Sequence, residues 1–436
     1  MMNTVEGESM VITVAATTVG CKVNLYDTNA VLQRFADNGY EIVDLDSAER
    51  VDICVINTCC VTNEAERKSR QIVRRAKAKG ATVVAMGCAS QLAADVFRDI
   101  GADIVVGTNR MELFDHIDGL TTNLAYDSDS DADFGMFDRV NNRTRGFLKI
   151  QDGCDNFCTY CIVPYARGAS RSRSLDSALS QAQKFATAGC KEIVISGIHI
   201  ASYGKDFKDK NVDLVNLLKA VSDIDGVQRI RLSSVEPSAI TPDFLNLMRN
   251  CQKLASHIHL SLQSGSDRIL SLMNRRYTTA AYAAAVAALR DVRPNICITT
   301  DIIAGFPGET EDDHTKTLDF MRLTAFADVH VFPYSLKKGT EAAKLPEQVD
   351  GSTRKRRAGE IALLANKLKT AHLRSFVNST ADVLIETKDS GGVCIGKTDG
   401  HFQVRFVDSK NEYNVNHITT VVLKTITEAG FDASLD

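Results

Sequence analysis

The stretch Gly153-Cys154-Asp155-Asn156-Phe157-Cys158-Thr159-Tyr160-Cys161 decides how the rest of the chain is interpreted. Its cysteines are separated by three and then two residues, so a tight loop can turn all three thiols toward one point. Such a set can hold three irons of a cube and leave the fourth without a protein ligand. A structural zinc site needs a fourth Cys or His nearby, which this stretch lacks, and three unrelated buried thiols are the other alternative. We therefore predict a 4Fe-4S cluster on Cys154, Cys158 and Cys161.

Length and composition indicate a multidomain protein of ordinary globular type. At roughly 100 to 200 residues per domain, 436 residues predict two to four domains. With 44% hydrophobic and 24% charged residues, no apolar run approaches the length of about 18 that a membrane helix needs. The polar, acidic start of the chain does not resemble a secretory signal, so we expect a cytoplasmic protein with twelve cysteines in a reducing compartment. A net charge of -4 confines any contact with a polyanion to local basic patches.

Residues 11–118 alternate apolar runs with amphipathic segments, which predicts a doubly wound parallel α/β sheet. The strands are expected near residues 11–16, 51–56, 82–86 and 103–106, and the helices near 24–38, 64–79 and 90–99. In such sheets ligands bind outside the carboxyl ends of the strands. Cys21, Cys59 and Cys88 each follow a predicted strand, so their thiols are expected to converge there. Cys60 adjoins Cys59 and could replace it as a ligand, and small apolar filling is the ordinary alternative for a single strand-end cysteine.

The rest of the chain divides by its patterns into four further segments. Residues 119–140 are acidic and aperiodic, which predicts a solvated linker. Six strands alternate with helical segments in residues 141–350, as expected for a partial (β/α)6 barrel whose cysteine loop follows the first strand. Residues 351–378 form a basic helical connector, and the pattern of residues 379–436 predicts a small antiparallel β-barrel with four short strands, near residues 382–386, 393–397, 402–407 and 419–422. The predicted fold class is therefore α/β with a C-terminal β-barrel.

Polar residues near the ends of the barrel strands are the candidates for contacts with a cofactor or substrate. Ser196 and Gly197 form a turn after the second strand, where a glycine permits close approach of the backbone. The other candidates of this kind are Glu236, Gln263 and Asp301. Three histidines without a partner visible in sequence are interpreted as structural: His199, His257 and His259.

The cysteine loop resembles the signature of the radical S-adenosylmethionine superfamily, in which an aromatic residue precedes the last Cys, as Tyr160 does here. The chain is most similar to the methylthiotransferase branch of that superfamily. The segments that carry this resemblance, besides the loop and Ile162-Val163-Pro164-Tyr165-Ala166-Arg167-Gly168, are Ile195-Ser196-Gly197-Ile198-His199, Ser233-Ser234-Val235-Glu236-Pro237, Leu260-Ser261-Leu262-Gln263-Ser264-Gly265-Ser266, Met273-Asn274-Arg275-Arg276-Tyr277 and Asp301-Ile302-Ile303-Ala304-Gly305-Phe306-Pro307-Gly308-Glu309.

The resemblance implies two 4Fe-4S clusters and S-adenosyl-L-methionine as cofactors. The cluster on Cys154, Cys158 and Cys161 would bind S-adenosylmethionine and cleave it to a 5′-deoxyadenosyl radical. The set at Cys21, Cys59 and Cys88 would hold a second cluster that delivers sulfur. A donor such as flavodoxin or ferredoxin would supply electrons.

The resemblance also implies that the substrate is tRNA. Residues 379–436 are similar to the TRAM domain of RNA-modifying enzymes, and we expect RNA to contact this domain and the local cations Arg167, Arg171 and Arg173. Motif details resemble the branch that converts N(6)-threonylcarbamoyladenosine beside the anticodon to its 2-methylthio derivative. They are Gly20-Cys21-Lys22-Val23-Asn24, Asn57-Thr58-Cys59, Pro164-Tyr165-Ala166-Arg167-Gly168 and Val331-Phe332-Pro333-Tyr334-Ser335.

Three other functions stay open at this point. Methylthiolation of isopentenyladenosine in tRNA is the first alternative, and an aspartate of a ribosomal protein is a more distant substrate. A non-catalytic iron–sulfur electron carrier or RNA-binding scaffold is the alternative outside the enzymes. A carrier normally ligates each cluster with four protein residues, whereas both sets here contain three, which favours the enzyme.

Overall fold

The structure, a computed structural model, describes residues 11–110, 112–117, 134–138, 144–209 and 211–435. These residues form two compact units. The first comprises the described residues up to position 138 together with Tyr165–Arg167, and the second comprises the remainder. Most of the predicted linker at 119–140 lies outside the described residues.

The first unit contains a parallel sheet with the strand order β2-β1-β3-β4-β5 among its described residues. Its elements are β1 Thr13–Thr18, α1 Lys22–Asp37, β2 Glu41–Ile42, β3 Ile53–Thr58, α2 Asn63–Ala78, β4 Thr82–Gly87, α3 Cys88–Leu92, α4 Ala94–Asp99, β5 Ile104–Val105 and α5 Glu112–Asp115. The order reverses between β1 and β3, which is the switch point where doubly wound folds bind ligands.

The core of this sheet explains why the predicted strands form. Val14, Val55 and Val84 occupy its three central strands and are fully buried, with Phe35 of α1 packed against them. Two details differ from the sequence prediction. The short strand β2 is additional, and the single helix predicted for residues 90–99 is divided at Ala93, whose φ of -145° and ψ of 50° are not helical.

The second unit contains the predicted partial barrel. It is built from two parallel sheets, in the orders β10-β9-β6 and β11-β12-β13. Isolated parallel bridges, Ile230 with Leu254 and Val235 with Leu260, connect the β10 region to the residues that flank β11. Its elements are β6 Arg145–Lys149, β7 Gln151–Asp152, the start of α6 Val163–Arg167, β8 Arg171–Ser172, α7 Leu175–Thr187, β9 Glu192–Ser196, α8 Leu214–Ser222, β10 Arg229–Leu232, α9 Pro242–Asn250, β11 His257–His259, α10 Asp267–Leu272, α11 Thr279–Val292, β12 Cys297–Ala304, α12 Glu311–Thr324 and β13 Asp328–Pro333. The residues of α6 from Tyr165 onward belong to the first unit.

A long helix and a closed barrel complete the second unit. They are α13 Gly351–Arg374, β14 Thr380–Lys388, β15 Val393–Thr398, β16 Gln403–Val407, β17 Ile418–Ile426 and β18 Gly430–Ser434. The barrel closes in the order β14-β15-β16-β18-β17. The sequence pattern predicts four of these strands but not β18, which pairs with β16 in parallel, so the barrel is not purely antiparallel.

Buried charges attach the small barrel to the partial barrel. Glu192 begins β9 and is fully buried, and its carboxylate lies 2.9 Å from Nε of Arg231 and 3.3 Å from Nη1 of Arg229. Arg231 also donates to the carbonyls of Thr398 and Asp399 in the small barrel. Because Glu192 and Arg229 are the first residues of their strands, the small barrel lies at the amino ends of the strands. The cysteine loop lies at the opposite, carboxyl end of β6.

The described helices include none with both the length and the apolar character needed for a bilayer crossing.

Candidate functional site

The backbone after β6 forms a closed loop that carries the three cysteines. The short strands β7 and β8 pair and bring its two ends together, and the Cys154 amide donates to the Gly168 carbonyl at 3.1 Å. Gly153 has a φ of +69°, and a Cβ there would overlap the carbonyl oxygen of Ala169. Only glycine fits this position, so the loop geometry depends on it.

The thiols of Cys154, Cys158 and Cys161 are neighbours. Burial raises the pKa of Cys161 to about 12, and the adjacent Cys158 and Cys154 raise it further. Burial and the adjacent Cys158 likewise raise the pKa of Cys154. Grouped, partly buried thiols are poor anions by themselves but become thiolates when a metal supplies positive charge. The loop therefore fits the expected iron–sulfur cluster, with three cysteine ligands and one iron left for another ligand.

A cationic side chain contacts this cysteine set. Nη1 of Arg275 donates to Sγ of Cys158 at 3.4 Å and pairs with the Glu236 carboxylate at 2.9 Å. The guanidinium also donates to the Tyr277 hydroxyl, at 2.9 Å from Nε. Sequence reasoning does not select Arg275 as a site residue. It lies in the segment Met273-Asn274-Arg275-Arg276-Tyr277, which carries part of the family resemblance, and membership of that segment could have identified it.

Glu236, a predicted contact residue, joins three loops beside the cysteines. Its carboxylate accepts a hydrogen bond from Nδ2 of Asn156 at 3.2 Å and lies 3.3 Å from Nε2 of His199. Burial opposes its ionisation, but His199 and Arg275 together hold the pKa of Glu236 below its ordinary value. Glu236 is thus an anion between two donors, and His199, interpreted from the sequence as structural, belongs to this group.

Buried hydroxyls near the ends of β9 and β10 lack hydrogen-bond partners among the described residues. They belong to Ser196, a predicted contact residue, and to Ser233. The adjacent Gly197 is tightly enclosed, since a Cβ there would lie 2.8 Å from Ile200 and 3.1 Å from the Gln151 carbonyl. Buried polar atoms normally have partners, so these two hydroxyls are candidates for contact with a polar ligand or an ordered water. This observation fits the expected S-adenosylmethionine.

The other predicted contact residues have distinct surroundings. Gln263 has a φ of +76°, and such strain in a non-glycine residue is typical of functional sites. Tyr160 packs on an apolar cluster that includes Phe306, and burial raises its pKa. The Asp301 carboxylate is engaged elsewhere in the barrel, where it pairs with His259 and His330.

In the first unit, Cys21, Cys59 and Cys88 follow β1, β3 and β4, as predicted from the strand pattern. A Cβ placed on Gly20 would lie 2.7 Å from Sγ of Cys59, which shows how closely the first two loops approach. Burial raises the pKa of Cys59 to about 11, and Cys21 and Cys88 raise it further, so these three thiols are neighbours. This grouping supports Cys59 as one of the three ligands.

Arg167 belongs to the first unit and contacts this second cysteine set. Its Nε donates to Sγ of Cys88 at 3.1 Å, and its Nη2 donates to Oδ1 of Asn24 at 2.6 Å and lies 3.3 Å from the Asp27 carboxylate. Arg110 pairs with the same carboxylate at 3.3 Å. These contacts form a buried, charge-paired group around the cysteine.

Burial changes the prediction for the three arginines expected to bind RNA. Arg167 is 5% exposed and Arg173 is fully buried, whereas Arg171 is exposed. A buried guanidinium cannot reach a phosphate backbone in this conformation. We therefore retain the RNA-binding proposal for Arg171 and correct it for Arg167 and Arg173.

Comparisons with known proteins agree with this geometry. Residues 148–321 match the model of the Radical SAM superfamily, and residues 13–107 match a family described as uncharacterized protein family UPF0004. A radical S-adenosylmethionine methyltransferase from Kitasatospora setae has a similar fold, with a TM-score of 0.56 and 16% identity over 74% of this chain and 73% of that chain. At this identity the likeness concerns the fold alone.

The chain also resembles curated enzymes along almost its whole length. Threonylcarbamoyladenosine tRNA methylthiotransferase MtaB of Bacillus subtilis is 36% identical over 96% of this chain and 94% of its own length. The protein of the same name from Thermotoga maritima is 32% identical over 96% of both chains. A tRNA-2-methylthio-N(6)-dimethylallyladenosine synthase from Acetivibrio thermocellus is 34% identical over 89% of this chain and 84% of its own length.

These findings confirm the expectation of an enzyme over an electron carrier or scaffold. The cofactors are those of the family, two 4Fe-4S clusters and S-adenosylmethionine, and the two sets of three cysteines fit the clusters. From its full-length relatives, its fold and its cysteine sets, the chain belongs to the methylthiotransferase family of radical S-adenosylmethionine enzymes.

Proposed function

We propose that this enzyme converts N(6)-threonylcarbamoyladenosine next to the anticodon of tRNA to its 2-methylthio derivative. The observation that carries the proposal is the 36% identity to an enzyme of that name across 96% of the chain. Relatives named for dimethylallyladenosine reach 34% identity, so modification of that nucleoside is the competing reaction.

The residues of the cysteine loop have a clear part in this reaction. When bound, S-adenosylmethionine and the cluster on the loop supply a 5′-deoxyadenosyl radical, and the second cluster supplies the sulfur. Ordinary acid–base groups cannot open an unactivated carbon–hydrogen bond of a purine, so cofactors are needed. Cys154, Cys158 and Cys161 would hold the cluster with three thiolate ligands. The hydroxyls of Ser196 and Ser233, which lack partners among the described residues, would hold polar groups of S-adenosylmethionine.

Nucleoside mass spectrometry on a deletion strain tests the substrate. We expect the 2-methylthio form of threonylcarbamoyladenosine to disappear and its parent to accumulate, while methylthiolated isopentenyladenosine persists. Wild-type protein should restore the missing nucleoside, and the Cys21→Ala, Cys59→Ala, Cys88→Ala variant should not. Loss of the isopentenyl product instead would assign the enzyme to the competing reaction.

Iron content tests the two cysteine sets. Anaerobically reconstituted protein should bind about eight irons, and replacing either set by Ala should remove about half of them. Cys59→Ala and Cys60→Ala form a matched pair, because the residues are adjacent and both are buried. We expect iron loss with Cys59→Ala only. Equal iron loss in both variants would contradict the assignment of Cys59.

We also propose that tRNA is held through exposed cations and that a flavodoxin or ferredoxin donates electrons. The small barrel exposes Arg405, Lys410 and Lys424, and Arg171 is exposed beside the cysteine loop. Removing one cation that binds a phosphate should weaken tRNA binding and reduce the salt slope by about one. Fluorescence anisotropy of labelled tRNA across a salt series should show this for Lys424→Ala but not for Lys316→Ala, which removes an exposed cation of α12. Identical salt slopes for the two variants would contradict a tRNA contact through the small barrel.

A further inference from the structure

Three neighbouring strands of the partial barrel present a histidine, an aspartate and a second histidine on one face. His259 of β11 is paired with Thr299 of β12, and Asp301 of β12 is paired with His330 of β13. Thr299 and Asp301 are two residues apart and therefore share a face of the sheet. The intervening Thr300 is fully buried and bonds to Tyr282 of α11, so the triad His259, Asp301 and His330 faces away from that helix, toward the interior of the partial barrel.

The ligand atoms of the triad lie at distances that suit one ion. Nε2 of His259 is 3.2 Å from Oδ2 of Asp301, and Nδ1 of His330 is 3.1 Å from Oδ1 of the same carboxylate. With one ligand atom taken from each residue, the three atoms lie within 4.8 Å of one another. Ligands bound at about 2.0–2.2 Å to one metal are separated by similar distances.

The surroundings of the triad orient its first histidine. The hydroxyl of Thr299 lies 3.0 Å from Nδ1 of His259 and can accept its proton, which leaves the Nε2 lone pair directed at the Asp301 side. A hydrogen bond donated by the ring nitrogen that does not bind the metal usually orients a metal-binding imidazole.

The triad is also accessible, unlike a histidine pair that serves only the core. His330 lies on β13, the last strand of its sheet, and its side chain is 58% exposed. Three protein ligands with an open side leave coordination positions for water or for an oxygen of a substrate. We propose that His259, Asp301 and His330 bind one divalent transition-metal ion, Zn²⁺ first among them, at a site separate from both cysteine sets.

Zinc binding to the cluster-loaded enzyme tests this site. Loaded clusters occupy the six cysteines, so equilibrium dialysis against Zn²⁺ followed by elemental analysis reports on the remaining ligands. We expect about one zinc per chain in the wild type, and a loss of affinity above about a hundredfold in Asp301→Asn and His330→Ala. Thr299→Val should weaken binding by about 10- to 100-fold, because it keeps all three ligands and removes the hydroxyl that supports His259 and also contacts His257.

A second imidazole–carboxylate pair supplies the control. His314 lies 2.7 Å from Glu360 and has no third ligand of this kind among the described residues, so Glu360→Gln should retain the wild-type zinc content. Equal iron content in every variant shows that folding and cluster loading are intact. His330→Ala is the variant that disturbs packing least, because that side chain is mostly exposed.

X-ray absorption at the zinc edge identifies the ligands. The proposal requires nitrogen and oxygen at about 2.0–2.1 Å, whereas thiolate sulfur lies at about 2.3 Å. A sulfur shell would place the ion on cysteines and overturn the proposal. Zinc content unchanged by Asp301→Asn, or absence of zinc binding in the wild type, would overturn it as well and leave a hydrogen-bonded triad without an ion.

Discussion

Replacing Arg275 by Met should lower the reduction potential of the cluster on the cysteine loop. The guanidinium donates to Sγ of Cys158 at 3.4 Å, and its side chain is 6% exposed. A cationic donor at a ligand sulfur favours the reduced cluster, which carries one more negative charge. Met occupies a similar volume without the charge or the donor, so the substitution removes this contact together with the pairing to Glu236 and the hydrogen bond to Tyr277.

The magnitude follows from the strength of such a bond. A hydrogen bond that involves a charged group contributes about 1.5–3 kcal/mol. Only the difference in this bond between the oxidised and the reduced cluster shifts the potential, so for a one-electron couple, where a tenfold change corresponds to about 59 mV, the potential should fall by up to about 65–130 mV. Glu236 retains His199 as a partner after the substitution, so its negative charge acts in the same direction.

A redox titration followed by electron paramagnetic resonance measures the effect. The Cys21→Ala, Cys59→Ala, Cys88→Ala background leaves one cluster to titrate. Arg276→Met is the matched control, because Arg276 is the adjacent residue and is exposed. A potential for Arg275→Met that equals the control, or lies above it, would refute the reasoning.

Three further predictions concern the supports of the sites. Glu192→Gln leaves Arg229 and Arg231 buried without their counter-ion, which should destabilise the attachment of the small barrel by about 3–5 kcal/mol and speed hydrogen exchange in β14 and β15. Burial opposes ionisation of Glu192, but these arginines lower its pKa. The stabilisation is therefore present at neutral pH and is lost as the pH falls through that lowered pKa. The difference in stability between wild type and variant should close only under acid conditions. Arg167→Met should lower the reduction potential of the second cluster, measured in a variant without the loop cysteines. An unchanged reduction potential would show that the contact of Arg167 with Cys88 has no electrostatic effect on the cluster. Gly153→Ala should remove about four irons by disrupting the cysteine loop, and full iron content would show that the loop tolerates a Cβ.

The sequence by itself determined the elements and the chemistry that depend on local pattern. Hydrophobic alternation predicted the strands of both α/β regions, and the spacing of Cys154, Cys158 and Cys161 predicted a shared site. The order of strands and cysteines also predicted that Cys21, Cys59 and Cys88 would meet, since parallel strands end at one edge of a sheet. These features involve residues that are close in sequence or related by a repeating unit, so their geometry is encoded locally.

Only the tertiary structure decided the partners of individual side chains. It placed Arg167 on Cys88, 79 positions away in the chain, where the sequence suggested a contact with RNA. It brought Arg275 to Cys158 and joined His259, Asp301 and His330 across three strands. It also added β18, whose parallel pairing closes the small barrel. Such contacts depend on how separate elements pack, because burial and charge pairing act between side chains that are close in space. Closeness between segments distant in sequence produces no periodic pattern of residues that the sequence could show.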